Sequence, residues 1–141
     1  MSRPRLSDLE PGQEIAAGSV AIDRARLVAY AAASGDQNPI HQDEDFARSV
    51  GLPDVIAHGM WTMGAAVEVL SDWLDDPAAI VAYSARFTNP VVVPAGSGAE
   101  VAVAAHVKKV DRETGQVSLE LSVTNDGAKV LGRAIAIVAL R

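Results

Sequence analysis

Apolar and polar positions alternate through the second half of the chain. Val101, Val103, Ala105 and Val107 fall on one face of a strand predicted over 100–110. Leu119, Leu121 and Val123 fall on one face of a second, 116–124, opposite Ser118, Glu120, Ser122 and Thr124. Asp111–Gly115 reads as the turn between them, and Asn125-Asp126-Gly127 is a strong hairpin signal before the last strand. That last strand, 129–140, is apolar on both faces (Leu131, Ile135 and Ile137 against Val130, Ala134 and Val138), which predicts a place inside the sheet. Upstream, 80–88 reads as a strand ended by Asn89-Pro90, and 91–93 as a short one before the loop Pro94–Gly98.

The first half carries a different period. Asp23 is a good N-cap for a helix over 24–33, in which Leu27, Tyr30 and Ala31 share a face and Gly35 marks the end. Asp43 caps a shorter helix over 44–50, closed by Gly51, with Phe46 and Val50 as its expected buried face. The longest helix, 58–74, is apolar nearly all round, interrupted only by Thr62, Glu68, Ser71 and Asp72, and is expected to be wrapped by other structure. Ahead of these, Ser7 and Glu10 have capping-box spacing, but Pro11-Gly12 follows at once, so 6–12 reads as a turn, followed by a short strand or two around Ile15 and 19–22. Helices followed by consecutive strands with short turns predict an α+β fold, a long helix against a curved antiparallel sheet.

Composition narrows the setting. A chain of 141 residues is most simply one domain, 1–141, able to bury a core without staples. Cysteine is absent, which excludes disulfides and thiolate metal sites. A formal charge of −6 argues against nucleic acid as a partner. Arg3 and Arg5 have no apolar stretch behind them, so Met1–Gly12 does not read as a signal peptide. The apolar runs fall short of the ~20 residues a membrane helix needs, so neither membrane nor nucleic acid is an expected partner and a cytoplasmic location is expected.

Two places carry chemistry. Ser34-Gly35-Asp36-Gln37-Asn38-Pro39-Ile40-His41 sets a carboxylate and an imidazole five positions apart, where Pro39 forbids a regular helix. It reads either as an Asx turn between helices or as a constrained functional loop. A calcium loop is excluded, because His41 stands where Gly is needed and Ala47 where Glu is needed. Asp36, His41 and His58 are spaced compatibly with a transition metal, but nothing specific supports one, and no metal or cofactor is expected. The second place is Val55-Ile56-Ala57-His58-Gly59, the start of the long helix, which offers no Ser, Thr, Asp or Asn cap. Its free amides and dipole would suit an anionic oxygen at Gly59; alternatively, Gly59 permits tight packing while His58 or a loop carbonyl caps the helix.

Tyr30-Ala31-x-x-Ser34-Gly35-Asp36-x-Asn38-Pro39-Ile40-His41, then Gly51-Leu52-Pro53 and Ile56-Ala57-His58-Gly59-Met60, resembles the hydratase motif of MaoC-like hotdog proteins. The likeness continues through Trp73, Tyr83-x-x-Arg86-Phe87-Thr88 and Gly132-Arg133-Ala134. It is especially close to single-hotdog actinobacterial forms, including the catalytic B subunit of the type II fatty acid synthase dehydratase. The resemblance implies a hotdog fold and reversible hydration of a trans-2-enoyl thioester to a (3R)-hydroxyacyl thioester, on coenzyme A or an acyl carrier protein. It implies that Asp36 and His41 share the reacting water, that the Gly59 amide binds the thioester carbonyl, and that Asn38 supports the loop. It also implies a dimer, homomeric or with a related hotdog chain. In one respect the chain departs: some hydratases of the family have Ser where Gly64 stands, with Thr62 as a possible substitute. The acidity of the chain is in tension with an acidic carrier protein, so either docking uses a local basic patch, with Arg48, Arg86, Lys108, Lys109 and Arg133 as candidates, or the substrate is a coenzyme A thioester. Two other functions fit such a fold. An acyl-thioester hydrolase would place its carboxylate on the long helix, at Glu68 or Asp72, and a non-catalytic partner subunit would not need both Asp36 and His41.

Overall fold

Capping side chains set the boundaries of the helical half. In a computed structural model that describes residues 3–141, strand β1 (Glu14–Ile22) ends at Asp23, whose carboxylate accepts the Arg26 N–H at 2.8 Å and opens α1 (Arg24–Ser34). Gly35 closes α1 in the left-handed region, φ 81, where a side chain would be strained. Asp43 caps α2 (Glu44–Ser49) in the same way, through the Phe46 N–H. The expected domain span 1–141 and the reading of Met1–Gly12 include Met1 and Ser2, which lie outside the described residues.

The long helix α3 (Gly59–Leu74) is followed by β2 (Ile80–Phe87), β3 (Ala99–Asp111), β4 (Gln116–Asn125) and β5 (Ala128–Ala139). The five strands form one antiparallel sheet in the order β1-β3-β4-β5-β2, so β5 lies inside the sheet, as its two apolar faces predict. The hairpin between β4 and β5 turns through Asp126 and Gly127, both at positive φ (50 and 80), the geometry of a type I′ turn. The alternating residues of β3 and β4 point into the core as expected: Val101, Val103, Ala105, Val107, Leu119, Leu121 and Val123 are all buried. Leu70 and Leu74 of α3 pack with Val107, Leu119, Ala136 and Val138, while Ala66 joins the cluster around Val103 and Leu121. Each pair of strands contains a register shift, which bends the sheet.

Four expectations need correction. First, α3 is not buried all round. Thr62, Ala65, Ala66, Leu70 and Leu74 face the core, whereas Met60, Gly64, Glu68 and Asp72, spaced four apart, form an exposed stripe. Apolar composition without periodicity hides which side meets the sheet. Second, Phe46 and Val50 do not form a buried face of α2; both are exposed, and Ala47 is buried in their place. Spacing finds a shared face on a six-residue helix but not its direction, and the small Ala47 allows α2 close approach to its neighbours. Third, 91–93 is no strand. Flanked by Pro90 and Pro94, it makes one bridge, Ile56 to Val92, with Val91 and Val93 buried on either side. Fourth, residues 14–22 form a single strand. Exposed Ala17, Gly18 and Ser19 blur the hydrophobic alternation, but their backbones pair with β3 throughout.

Candidate active site

Asp36 and His41 are held by a chain of side-chain-to-backbone bonds that the sequence of the loop makes possible. Ser34 Oγ accepts the Asp36 N–H, Asp36 Oδ1 accepts the Asn38 N–H, and Asn38 Oδ1 accepts the Ile40 N–H, each at 3.2 Å. Asn38 thereby caps a single 3-10 turn, Pro39–His41, whose proline has no N–H to lose. The turn delivers His41 inward while Asp36 stays half exposed.

The His41 ring is oriented from behind. Its Nδ1 lies 2.7 Å from the Ile56 carbonyl, so Nδ1 carries the proton and donates it there, which leaves the Nε2 lone pair free. Nε2 faces Asp36 Oδ2 at 4.0 Å. Burial is the main cause that holds the His41 pKa below its ordinary 6.5; the Ile56 carbonyl pulls it upward, His58 adds to the lowering, and Asp36 opposes it. His41 is therefore adjusted toward a neutral base.

The start of α3 completes the site. Residues just ahead of it are committed to strand-like bonds: the Ile56 N–H donates to Ile40 O and the Ala57 N–H to Val91 O. His58 is the N-cap residue, yet its side chain makes no capping bond, and no side chain among the described residues caps this turn. A cleft of about 330 Å3 opens beside it, lined by His41, Gly59, Thr62, Phe87, Pro90 and Val130 among others, and most of the lining is apolar. Gly59 also meets a packing constraint, because a β-carbon there would lie 3.0–3.2 Å from three atoms of the Phe87 ring. Close approach and free amides therefore coexist at this residue. Thr62 is buried on the cleft wall, its hydroxyl 3.5 Å from the His58 carbonyl, while Gly64 lies on the exposed stripe of α3.

Sequence reasoning placed His58 only as a possible cap or metal ligand. The structure puts it at the junction of loop and helix: its ring stacks on His41 with centroids 3.8 Å apart, and its Nε2 lies 3.1 Å from the Asp36 carbonyl. Asp36, His41 and His58 bring their ligand atoms within 4.8 Å of one another. The two rings are nearly parallel, 23° apart, and ring lone pairs lie in the ring planes, so the rings do not aim at a common point as metal ligands must. Glu68 and Asp72 lie elsewhere, exposed along a separate groove formed with residues 17–21 of β1.

Comparison with known proteins identifies the family and the fold. A family model described as the MaoC like domain matches residues 8–126. The 3-hydroxyacyl-thioester dehydratase X of Mycobacterium tuberculosis is 43% identical over 81 residues, 57% of this chain and 28% of that protein. The (R)-specific enoyl-CoA hydratase of Rhodospirillum rubrum is 34% identical over 87 residues, 61% of this chain and 60% of that protein. The chain thus spans less than two thirds of either relative. Among solved structures, an (R)-hydratase from A. caviae involved in PHA biosynthesis superimposes with a TM-score of 0.82 at 30% identity, covering 94% of this chain and 98% of that one. A MaoC-like dehydratase superimposes with a TM-score of 0.96 at 37% identity, covering 99% of this chain and 43% of that one. An antiparallel sheet bent around α3 is thus the α+β hotdog of these proteins, and the chain belongs to the MaoC-like domain family.

Proposed function

We propose that this chain, as a single hotdog domain over 1–141, reversibly hydrates a trans-2-enoyl thioester to the (3R)-hydroxyacyl thioester. The observation that carries the reading is the pair Asp36 Oδ2 and His41 Nε2, 4.0 Å apart, with His41 on the wall of a cleft that also contains the first residue of α3. One water oxygen about 2.8 Å from each, an ordinary hydrogen-bond length, spans that gap. The mechanism follows from the tautomer. His41 Nε2 takes a proton from the water as its oxygen bonds to C3. The C2–C3 electron pair shifts toward the thioester carbonyl, and the proton returns to C2, so one water is added in total. Asp36 orients the water and favours the protonated imidazole, help of a kind commonly worth a hundred- to ten-thousand-fold. Charge building on the carbonyl oxygen is met by the Gly59 amide at the positive end of α3. Asn38 keeps the dyad's loop in shape through its bond to Ile40.

The substrate is a coenzyme A or carrier-protein thioester. Of the basic residues weighed for docking, Arg86 directly precedes the cleft residue Phe87, and Arg133 follows Gly132, its pairing partner on β5. Lys108 and Lys109 lie on β3, two strands from that end of the sheet. A cytoplasmic setting belongs to the same reading, since such carriers are charged and do not cross membranes. So does a dimer, homomeric or with a related chain, formed along β2: this edge strand exposes Val81 and Phe87, and Phe87 also walls the cleft. Incubation with a trans-2-enoyl-CoA tests the function. Loss of the conjugated absorbance without release of free CoA supports it, CoA release favours a hydrolase, and no change with either this thioester or the same enoyl group on an acyl carrier protein refutes it.

A further inference from the structure

His58 is 1% exposed, yet nothing in the chemistry above uses it. Its backbone, at φ −61 and ψ 134, is the extended residue before α3, and its carbonyl accepts the Thr62 N–H that begins the helix. Its side chain turns away from the helix amides and across to the loop. Nε2 lies 3.1 Å from the Asp36 carbonyl, 22 residues earlier, so Nε2 carries the proton and donates it there. The ring contacts two others, His41 at 3.8 Å and nearly parallel, and Tyr30 of α1 at 4.7 Å and tilted by 59°. Nδ1 is buried and has no hydrogen-bond partner among the described residues. A buried polar atom left unpartnered is costly, a cost that the ring's other contacts offset.

We propose that His58 is the positioning residue that locks the two halves of the site together, one hydrogen bond fixing the Asp36 backbone and one stacked face fixing the plane of the His41 ring. The proposal rests on the hydratase reading for its kinetic consequence, but its geometric content is independent. Pro39 and the Asx turns define the shape of the loop, and Ile56 already ties it to the segment before α3, its N–H to Ile40 O and its carbonyl to His41 Nδ1; His58 adds the tie from Asp36 to the residue next to Gly59. Without it, the Ile56 bonds would still hold Ile40 and the Nδ1 edge of His41, while the Asp36 backbone and the plane of the His41 ring would lose their register with the carbonyl-binding end of α3. A displacement of about 1 Å at a reacting centre commonly costs on the order of a hundredfold in rate.

The two ties separate by substitution. His58→Phe keeps a flat ring against His41 and removes the N–H to Asp36. His58→Gln keeps an N–H at the same distance along the side chain and removes the ring. The measurements are kcat and KM for hydration of trans-2-butenoyl-CoA, and the imidazole 15N spectrum of His41, which reports which ring nitrogen carries the proton. Each variant is expected to lower kcat by roughly tenfold or more with KM changed less than about threefold, and His58→Gln to mix the two His41 tautomers. Melting curves identify folded variants; should one fail to fold, the other carries the test. If the folded variants keep kcat within threefold of the parent, or if His58→Gln loses activity with the His41 spectrum unchanged, the proposal is overturned. Should the parent protein hydrate neither an enoyl-CoA nor an enoyl-carrier protein, the hydratase reading fails, and the His41 spectra of the parent and His58→Gln still decide the positioning role.

Discussion

Gly59 is where packing and chemistry make opposite demands on a substitution, and two variants separate them. A β-carbon at 59 would sit 3.0, 3.1 and 3.2 Å from three atoms of the Phe87 ring, closer than the ~3.5–4.0 Å of an optimal carbon contact. Phe87 is 56% exposed, so its ring can yield outward by a few tenths of an ångström. Replacing Gly by Ala in a helix returns about 0.5–1 kcal/mol. Gly59→Ala should therefore leave stability within about 1 kcal/mol of the parent, while the displaced ring alters the cleft and raises KM. Gly59→Pro adds the same β-carbon and also deletes the amide N–H. Proline is accommodated at the first position of a helix, and the residue before a proline must be extended, as His58 already is at ψ 134. The difference between Pro and Ala at 59 therefore isolates the N–H. If that amide stabilises the developing charge, kcat should drop a further ~100- to 1,000-fold from Ala to Pro, about 3–4 kcal/mol of transition-state stabilisation. Stopped-flow hydration of an enoyl-CoA with melting curves for both variants gives the comparison. A proline variant that is folded and within several-fold of the alanine variant would refute the assignment of the amide.

Three further outcomes can be checked together. Arg24 donates to Val93 O at 2.6 Å and to Glu44 Oε1 and Asp54 Oδ1 at 2.9 Å each, joining α1 to α2 and to the segment before α3. Arg24→Met should lower stability by about 2 kcal/mol in urea denaturation, and an unchanged midpoint would contradict that role. Because burial first of all depresses the His41 pKa below 6.5, the acid limb of the hydration rate should have its midpoint below pH 6.5. The same depression means that the unfolded chain binds this proton more readily, so the stabilisation is fully present above pH 6.5 and is lost as pH falls through the folded-state value. An acid limb centred at or above 6.5 would contradict it. Sedimentation should find two chains per particle, and a charged residue in place of Val81 on the β2 edge should yield monomers; a monomeric parent would refute the dimer.

Much of this architecture was legible because local chemistry specified it. Asp23 and Asp43 had to cap helices, Asp126-Gly127 had to turn a hairpin, and the two-residue period of β3 and β4 had to bury Val103 and Leu121. What was hidden depended on partners distant in the chain. The direction of α2, which buries Ala47 and exposes Phe46, is set by how it packs on its neighbours. The exposed stripe of α3 could not be seen because Met60 and Gly64 are not polar. At the candidate site, the constrained loop that carries Asp36, Asn38 and His41 was visible through the proline and the Asx-prone residues in it. His58 was not, since the side chain of a residue at a helix start is expected at the helix amides, whereas here it reaches back 22 residues to the Asp36 carbonyl. A cue existed in the motif itself: Tyr30 lies on α1, one turn before its end, and its ring meets His58.

The most direct test of the account is the rate of enoyl-CoA hydration by Asp36→Asn and His41→Gln beside the parent protein. Asp36→Asn keeps the size of the side chain and removes its charge, and His41→Gln removes the Nε2 lone pair that faces Asp36 at 4.0 Å. With the fold intact by melting curve, each variant should lose at least about a hundredfold in kcat. A folded variant that hydrates at close to the parent rate would contradict the assignment of Asp36 and His41 as the groups that share the water.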